Sequence, residues 1–61
     1  MFRVEREGEW IRVVDPTDAG IPVLEFKSDS YFIRDGKPVK ASTLGDEELL
    51  AELVRTGKLK A

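Results

Sequence analysis

Residues 31–40, with the sequence YFIRDGKPVK, contain the pattern that decides the fold. An Asp-Gly pair between two extended runs is the strongest short-range signal for a β-hairpin, so strands are predicted over residues 31–34 and 37–40. In this register Phe32 faces Val39 and Ile33 faces Pro38. The second pair is then not hydrogen-bonded, so the missing N–H of proline would have pointed outward. Proline is tolerated there mainly at a sheet edge, so the fifth strand is predicted to be an edge strand.

Three more strands are predicted upstream, over residues 2–6, 9–14 and 21–27. Each shows the alternation of apolar and polar residues that is typical of a strand with one buried face. Residues 15–20, DPTDAG, separate the second strand from the third. Asp, Pro and Gly are the residues that favour turns, so this segment is predicted to be a loop.

The first two strands are predicted to form a hairpin with its turn at residues 7–8, Glu-Gly. This register sets Val4 opposite Ile11, and it also sets Arg3 opposite Arg12. Like charges that face each other destabilise a sheet, so the arginine pair would need a nearby carboxylate or an anion. Glutamate is a poor residue for a primed turn, and a turn with a glycine bulge that shifts the register therefore remains open.

A helix is predicted over residues 46–56, where apolar side chains recur on one helical face. Two starts fit the sequence: a capping box formed by Thr43 and Asp46, or a cap at Gly45. Gly57 suits the position that follows the end of a helix. The residues on the apolar face are Leu49, Leu50, Leu53 and Val54.

These elements predict a single α+β domain over residues 1–61. It contains a small antiparallel sheet of about five strands, made of two hairpins and a middle strand, and one C-terminal helix. The sheet is either open or curled into a partial barrel. The predicted core joins the apolar face of the helix to eight sheet residues: Phe2, Val4, Ile11, Val13, Leu24, Phe26, Phe32 and Val39.

Composition limits the classes of function. The chain of 61 residues has no Cys and no His and a net charge of −2, with 36% charged and 41% hydrophobic residues. Disulfides and thiolate metal sites are excluded, and nothing points to an oxidising compartment. The charged, alternating N-terminus is not typical of a signal peptide, and no apolar run approaches the length of a membrane span, so a cytoplasmic protein is expected. Asn and Gln are also missing, which favours heat adaptation, with chance in a short chain as the alternative.

No catalytic site is predicted. The serines have no histidine to activate them, so the usual triad chemistry lacks its base. Asp15, Asp18 and Asp29 match no calcium-loop spacing, and their expected role is to form turns. No glycine-rich phosphate loop occurs, and the acidic first turn of the helix would repel a phosphate. Neither an enzyme nor a cofactor or metal site is therefore expected.

The second face of the predicted sheet is apolar, which is unusual for an open two-layer domain. Three explanations fit: the sheet closes into a barrel, the face packs against a protein, or it stacks the bases of a nucleic acid. The residues placed on this face are Trp10, Val14, Ile21, Val23, Tyr31, Ile33 and Pro38.

The preferred hypothesis is a small non-catalytic interaction module, regulatory or structural, that acts by protein–protein contact, in its simplest form as a homodimer. Trp, Tyr and Arg are the residues that most often dominate the energy of such contacts. The alternative is sequence-tolerant binding of single-stranded nucleic acid, which the negative net charge disfavours. The predicted contact surface is centred on Trp10, Ile21, Val23, Tyr31 and Ile33, with Arg12 and Arg34 at its rim.

Overall fold

A computed structural model of the protein describes residues 2–18 and 20–60. The predicted domain also includes residues 1 and 61, and the predicted loop includes Ala19; these three lie outside the described residues. The elements along the chain are β1 (Arg3–Glu7), β2 (Trp10–Val14), a 3-10 turn (Pro16–Asp18), β3 (Pro22–Lys27), β4 (Tyr31–Arg34), β5 (Lys37–Lys40), a second 3-10 turn (Ala41–Thr43) and α1 (Asp46–Arg55).

The strands form two antiparallel sheets rather than one. One sheet has the order β1-β2-β3, and the other is the β4-β5 hairpin. The α+β prediction is confirmed, and the sheets do not close into a barrel. The division has a consequence for function, because four of the five strands have an edge without a neighbouring strand within the described part of the chain.

The β4-β5 hairpin has the predicted register, with Phe32 opposite Val39 and Ile33 opposite Pro38. Asp35 and Gly36 have φ values of 53° and 76°, as a type I′ turn requires at both of its central residues. This turn chemistry fixes the register, and the register determines which side chains of the hairpin face outward.

The register of the first hairpin differs from the prediction. Glu7 pairs with Trp10, so Gly8 and Glu9 form the loop instead of residues 7–8. Gly8 has a φ of 57°, which fits a type II′ turn with glycine at its first central position. Val4 consequently faces Val13.

The shifted register also changes the charge pairing across this hairpin. Arg12 lies opposite Glu5, and the predicted apposition of Arg3 and Arg12 does not occur. No anion is therefore needed between the arginines.

The middle strand β2 joins the other two strands, and its pairing with β3 contains an irregularity. Val13 pairs with Leu24 whereas Val14 pairs with Pro22, so Val23 is an additional residue in β3. Pro22 begins an edge strand, where a missing N–H costs least. Val14, which was assigned to the open face, is buried.

Gly45 is the N-cap of the helix, and its carbonyl accepts a hydrogen bond from the Leu49 N–H at 2.8 Å. The predicted capping box is wrong, because the Thr43 hydroxyl donates to the Lys40 carbonyl instead. At the other end Gly57, with a φ of 79°, forms a Schellman motif in which the N–H of Lys58 donates to the Leu53 carbonyl.

The core lies where the helix meets both sheets. Phe26 of β3 and Phe32 of β4 contact each other edge to face with ring centroids 6.4 Å apart, so the sheets share one interior. Val54 was predicted to be buried but is 38% exposed, whereas Ala41, Leu44 and Leu59 add to the core. The fully formed core consists of Ile11, Val13, Phe32, Ala41, Leu44, Leu49, Leu53 and Leu59, with Phe2, Val4, Leu24, Phe26, Val39 and Leu50 packed against it.

Replacing a core residue of the helix tests this packing. Leu53 is 1% exposed, so Leu53→Ala should lower the free energy of unfolding by about 2–5 kcal/mol through lost burial and a residual cavity. The matched control on the same helix is Val54→Ala, for which a change of about 0.5 kcal/mol or less is expected. Urea unfolding followed by circular dichroism measures both variants. Equal losses in the two variants would contradict the assigned helical face.

Candidate protein-contact surface

An exposed apolar area lies on the outer side of the β4-β5 hairpin. Tyr31 pairs with Lys40 and Ile33 with Pro38, so these four side chains share one face, here called the hairpin face. Tyr31 is 60% exposed and Ile33 is 61% exposed. Phe32 between them points into the core. Side chains alternate between the two faces of β4. Burial of Phe32 on the inner face therefore places Tyr31 and Ile33 on the outer face, in solvent.

Trp10, the largest residue of the predicted surface, has a different environment. It lies on the outer side of the three-stranded sheet and is 37% exposed, with the Lys27 ammonium 5.6 Å from its ring centroid. Its neighbours on that side are charged and paired with each other. The ion pairs there are Arg3–Glu5, Arg12–Glu7, Arg12–Glu25 and Lys27–Glu9.

Ile21 and Val23 lie at the start of β3, next to the pairing irregularity. They are 68% and 47% exposed. The structure therefore places Trp10 and Val23 on the three-stranded sheet, Ile21 directly before its third strand, and Tyr31 with Ile33 on the hairpin. The five residues at the centre of the predicted surface are exposed, but they are distributed over two sheets.

The two arginines assigned to the rim are both held by carboxylates. Arg12 donates to Glu25 and, at 3.4 Å, to Glu7. These two hydrogen bonds, Glu25 first, raise the pKa of Arg12 above its ordinary value. Arg34 donates to Glu52 of the helix at 3.2 Å, so it faces α1. Neither guanidinium is freely available to a partner.

Glu52 forms the anchor of the hairpin and was not identified from the sequence. It is 6% exposed, and its carboxylate accepts hydrogen bonds from both Arg34 and Arg55. Arg55 also donates from Nη2 to the Ile33 carbonyl at 2.9 Å. This cluster connects the helix to the backbone of β4. The only sequence signal for it is the Glu-to-Arg spacing of three residues on the helix.

A second contact that the sequence did not reveal holds β1 to the start of α1. The Arg6 guanidinium donates to Asp46 at 2.9 Å and to the Leu44 carbonyl at 2.8 Å. The helix is consequently tied to the first sheet at its N-terminus and to the hairpin near its C-terminus.

Two hollows lie on the surface of the described residues. The first is a cleft of about 180 Å³ between β3, β4 and the end of α1, lined by Leu24, Glu25, Phe26, Ser30, Tyr31, Phe32, Leu53 and Lys58. The second, of about 220 Å³, lies on the charged side of the three-stranded sheet and is lined by Arg3, Glu5, Arg12, Val14, Gly20 and Pro22. The arginines of the second hollow are paired with glutamates, so we assign it no ligand.

Within residues 2–18 and 20–60 no cluster of acidic side chains is arranged to hold a metal ion. The helix found in these residues is too short and too polar to cross a bilayer. Comparison of the chain with models of protein families, with curated proteins and with solved structures found no match.

Removing the charge of Glu52 tests the anchor. Glu52→Gln leaves two guanidinium groups without their carboxylate, so the melting temperature near neutral pH should fall by several degrees. Glu47→Gln is the matched control, because Glu47 is exposed on the first turn of the same helix. Thermal unfolding followed by circular dichroism should show a much smaller change for this control.

The wild type and Glu52→Gln also give a pH test. The hydrogen bond from Arg55, despite the opposing effect of burial, lowers the pKa of Glu52 from the ordinary value of 4.5. The stabilisation from the charged carboxylate is therefore complete above that value and is lost as the pH falls through the lower pKa of the folded state. The difference in melting temperature between wild type and Glu52→Gln should shrink with acidification. A difference that stays constant would contradict the ionic anchor.

Proposed function

We propose that this chain is a small non-catalytic interaction module that acts by protein–protein contact through the hairpin face, in its simplest form with a second copy of itself. The observation that supports this most directly is the exposure of Tyr31 and Ile33, each about 60%, on one face of a strand. Tyrosine is among the residues that most often carry binding energy at interfaces. Adjacent exposed apolar side chains are typical of a surface that becomes covered.

The rigidity of the hairpin supports the same proposal. Its turn is conformationally defined, and its backbone is held to α1 by the bond from Arg55 to Ile33. A preorganised surface loses little conformational freedom when it binds, so more of the contact energy becomes affinity. A second copy is the simplest partner because a two-fold axis lets the same face occupy both sides of the contact.

Protein contact is favoured over binding of single-stranded nucleic acid by the surroundings of the two exposed aromatic rings. The ammonium groups of Lys27 and Lys40 each lie 5.6 Å from a ring centroid, over Trp10 and Tyr31 respectively. A stacked base would have to displace them. The arginines nearby are neutralised by glutamates, and the net charge of −2 gives little attraction for phosphates.

The remaining parts of the proposal follow from composition. A chain without His or Cys lacks the usual bases and nucleophiles of enzymes, which supports a non-catalytic role. The same lack of cysteine supports a cytoplasmic location. The shortage of Asn, Gln and Cys still supports heat adaptation.

Sedimentation velocity of matched variants tests the contact. The wild type should dimerise at micromolar concentration, and Ile33→Lys should raise the dissociation constant by about tenfold or more because a charge replaces an apolar contact. Val54→Lys is the control, since Val54 is an exposed valine on α1 and not on the hairpin. It should dimerise as the wild type does. A monomeric wild type, or equal behaviour of all three proteins, would contradict pairing through this face.

Fluorescence titration of Trp10 with a single-stranded oligonucleotide tests the alternative. Because a lysine ammonium group lies over each ring and the arginines are paired, no complex is expected at either low or moderate salt. Lys27→Ala removes the ammonium group that lies over the Trp10 ring, so this variant is the comparison in which a base could stack on the ring most easily. A wild-type complex whose affinity falls steeply with added salt would favour nucleic-acid binding over protein contact.

A further inference from the structure

The outer edge of β3 has unpaired backbone groups. The Ser28 N–H donates to the Glu9 carbonyl at 2.8 Å, which marks the hydrogen-bonded positions of the β2-β3 ladder. Hydrogen-bonded pairs alternate with non-hydrogen-bonded pairs along an antiparallel register, so Phe26 and Leu24 are also hydrogen-bonded to β2. Glu25 and Lys27 therefore direct their N–H and C=O groups away from β2. The Lys27 carbonyl accepts a hydrogen bond from the Ser30 N–H at 3.0 Å, so within the described residues the open groups of this edge are the N–H and C=O of Glu25 and the N–H of Lys27.

The edge of β4 that lies away from β5 also has backbone groups that its neighbouring strand does not bind. The Ala41 N–H donates to the Ser30 carbonyl at 2.7 Å, so Tyr31 and Ile33 direct their backbone groups away from β5. The Ile33 carbonyl is occupied by Arg55. The N–H and C=O of Tyr31 have no such partner within the described residues.

The cleft lies between these two edges, and both Glu25 and Tyr31 line it. Its apolar lining consists of Leu24, Phe26, Phe32 and Leu53. Leu24 and Phe26 are only half-buried, because no strand formed by residues 2–18 and 20–60 lies beside β3 on that side. A volume of about 180 Å³ is below the usual range of pockets for small molecules but suits apolar side chains of a peptide.

Charge adds a further constraint on the occupant. Lys58 lines the cleft, and no carboxylate lies within ion-pair distance of it among residues 2–18 and 20–60. Glu25, the acidic residue of the lining, is already bound to Arg12. A carboxylate on the occupant would therefore be attracted to Lys58.

We propose that an extended segment of a partner protein adds to β3 as the fourth strand of the three-stranded sheet, with apolar side chains in the cleft and a carboxylate beside Lys58. In strand addition the main chain supplies affinity, and pockets for alternate side chains supply specificity. The open groups of Glu25 and the apolar cleft provide these two elements. The proposal rests on the proposed role in protein contact and names the chemistry of one partner.

A second copy of the chain is a less suitable occupant of this cleft. Its β3 is followed, after residues 28–30, by its own β4-β5 hairpin. The cleft already has the hairpin of the first copy as one wall. A single extended segment adds only its own width, so we assign the cleft to a peptide and the hairpin face to self-contact.

A phage-displayed library of random heptapeptides, selected on the full chain, is the probe. The enriched peptides should alternate apolar and polar residues and carry an acidic residue. Lys58→Glu should weaken their binding by about threefold or more. Lys60→Glu is the matched control, because Lys60 is exposed but does not line the cleft, and it should bind as the wild type does.

Strand pairing itself is tested with N-methylated versions of the strongest peptide. Methylation of the amides on the edge that pairs with β3 should weaken binding by about tenfold or more, whereas methylation on the opposite edge should have little effect. The amide of Glu25 should also exchange more slowly with solvent when the peptide is bound.

The results that overturn this inference are distinct from those that overturn the proposed function. No enriched peptide, no alternation, or equal effects of Lys58→Glu and Lys60→Glu would each overturn strand addition. So would a wild-type dimer that Lys58→Glu dissociates and Ile33→Lys does not, since a second copy would then occupy the cleft. Dimerisation that depends on Ile33 alone, without peptide binding, would leave the proposed function in place and remove this inference.

Discussion

In the part of the chain that the structure describes, one α-helix of ten residues has to cover the inner faces of two separate sheets, and the rest of the structure depends on that constraint. Leu49 and Leu53 are fully buried in a core that also contains Ile11 of β2 and Phe32 of β4. The helix has one apolar face and covers no further part of the two sheets. The outer side of the hairpin stays in solvent, and the cleft between β3 and β4 is only partly filled. Both candidate contact regions, the hairpin face and the cleft, are therefore apolar surfaces that the helix does not cover.

The outer sides of the two sheets carry different kinds of side chain. The outer side of the three-stranded sheet is covered with ion pairs, and Lys27 lies over the Trp10 ring, so this side is compatible with water. The hairpin has too few residues for such a network, and its outer side carries Tyr31, Ile33 and Pro38 with one lysine. The more apolar of the two surfaces is thus the one that the buried Glu52 cluster holds in a fixed position.

Some of this architecture follows from local sequence chemistry. The hairpin of residues 31–40 was predictable with its register because an Asp-Gly turn permits few alternatives, and the helix was predictable from its apolar period. The turn of the first hairpin was predicted one residue too early, at residues 7–8 instead of 8–9. Gly8 suits a turn in either register, and only the turn geometry distinguishes the two. The capping box at Thr43 failed because its hydroxyl bonds back to Lys40 instead.

The division into two sheets and the anchor at Glu52 were not predictable in this way. Alternation shows that a strand has two faces, but it does not say which strands share a sheet. Glu52 meets Arg34 across 18 residues of chain, a contact that only the tertiary structure creates. Alternation placed Tyr31 and Ile33 together on one face but did not say whether that face is exposed, and the cleft beside β3 required knowledge of which strand lies at the edge.

The most direct test of the account measures whether the hairpin face becomes covered. Methyl-labelled protein can be studied by NMR with a soluble paramagnetic agent at rising protein concentration. We expect the Ile33 methyl groups to become protected from the agent as concentration increases, while those of Val54 stay accessible. Unchanged accessibility of Ile33 across the full range, with the protein folded throughout, would contradict the claim that this apolar face is a contact surface.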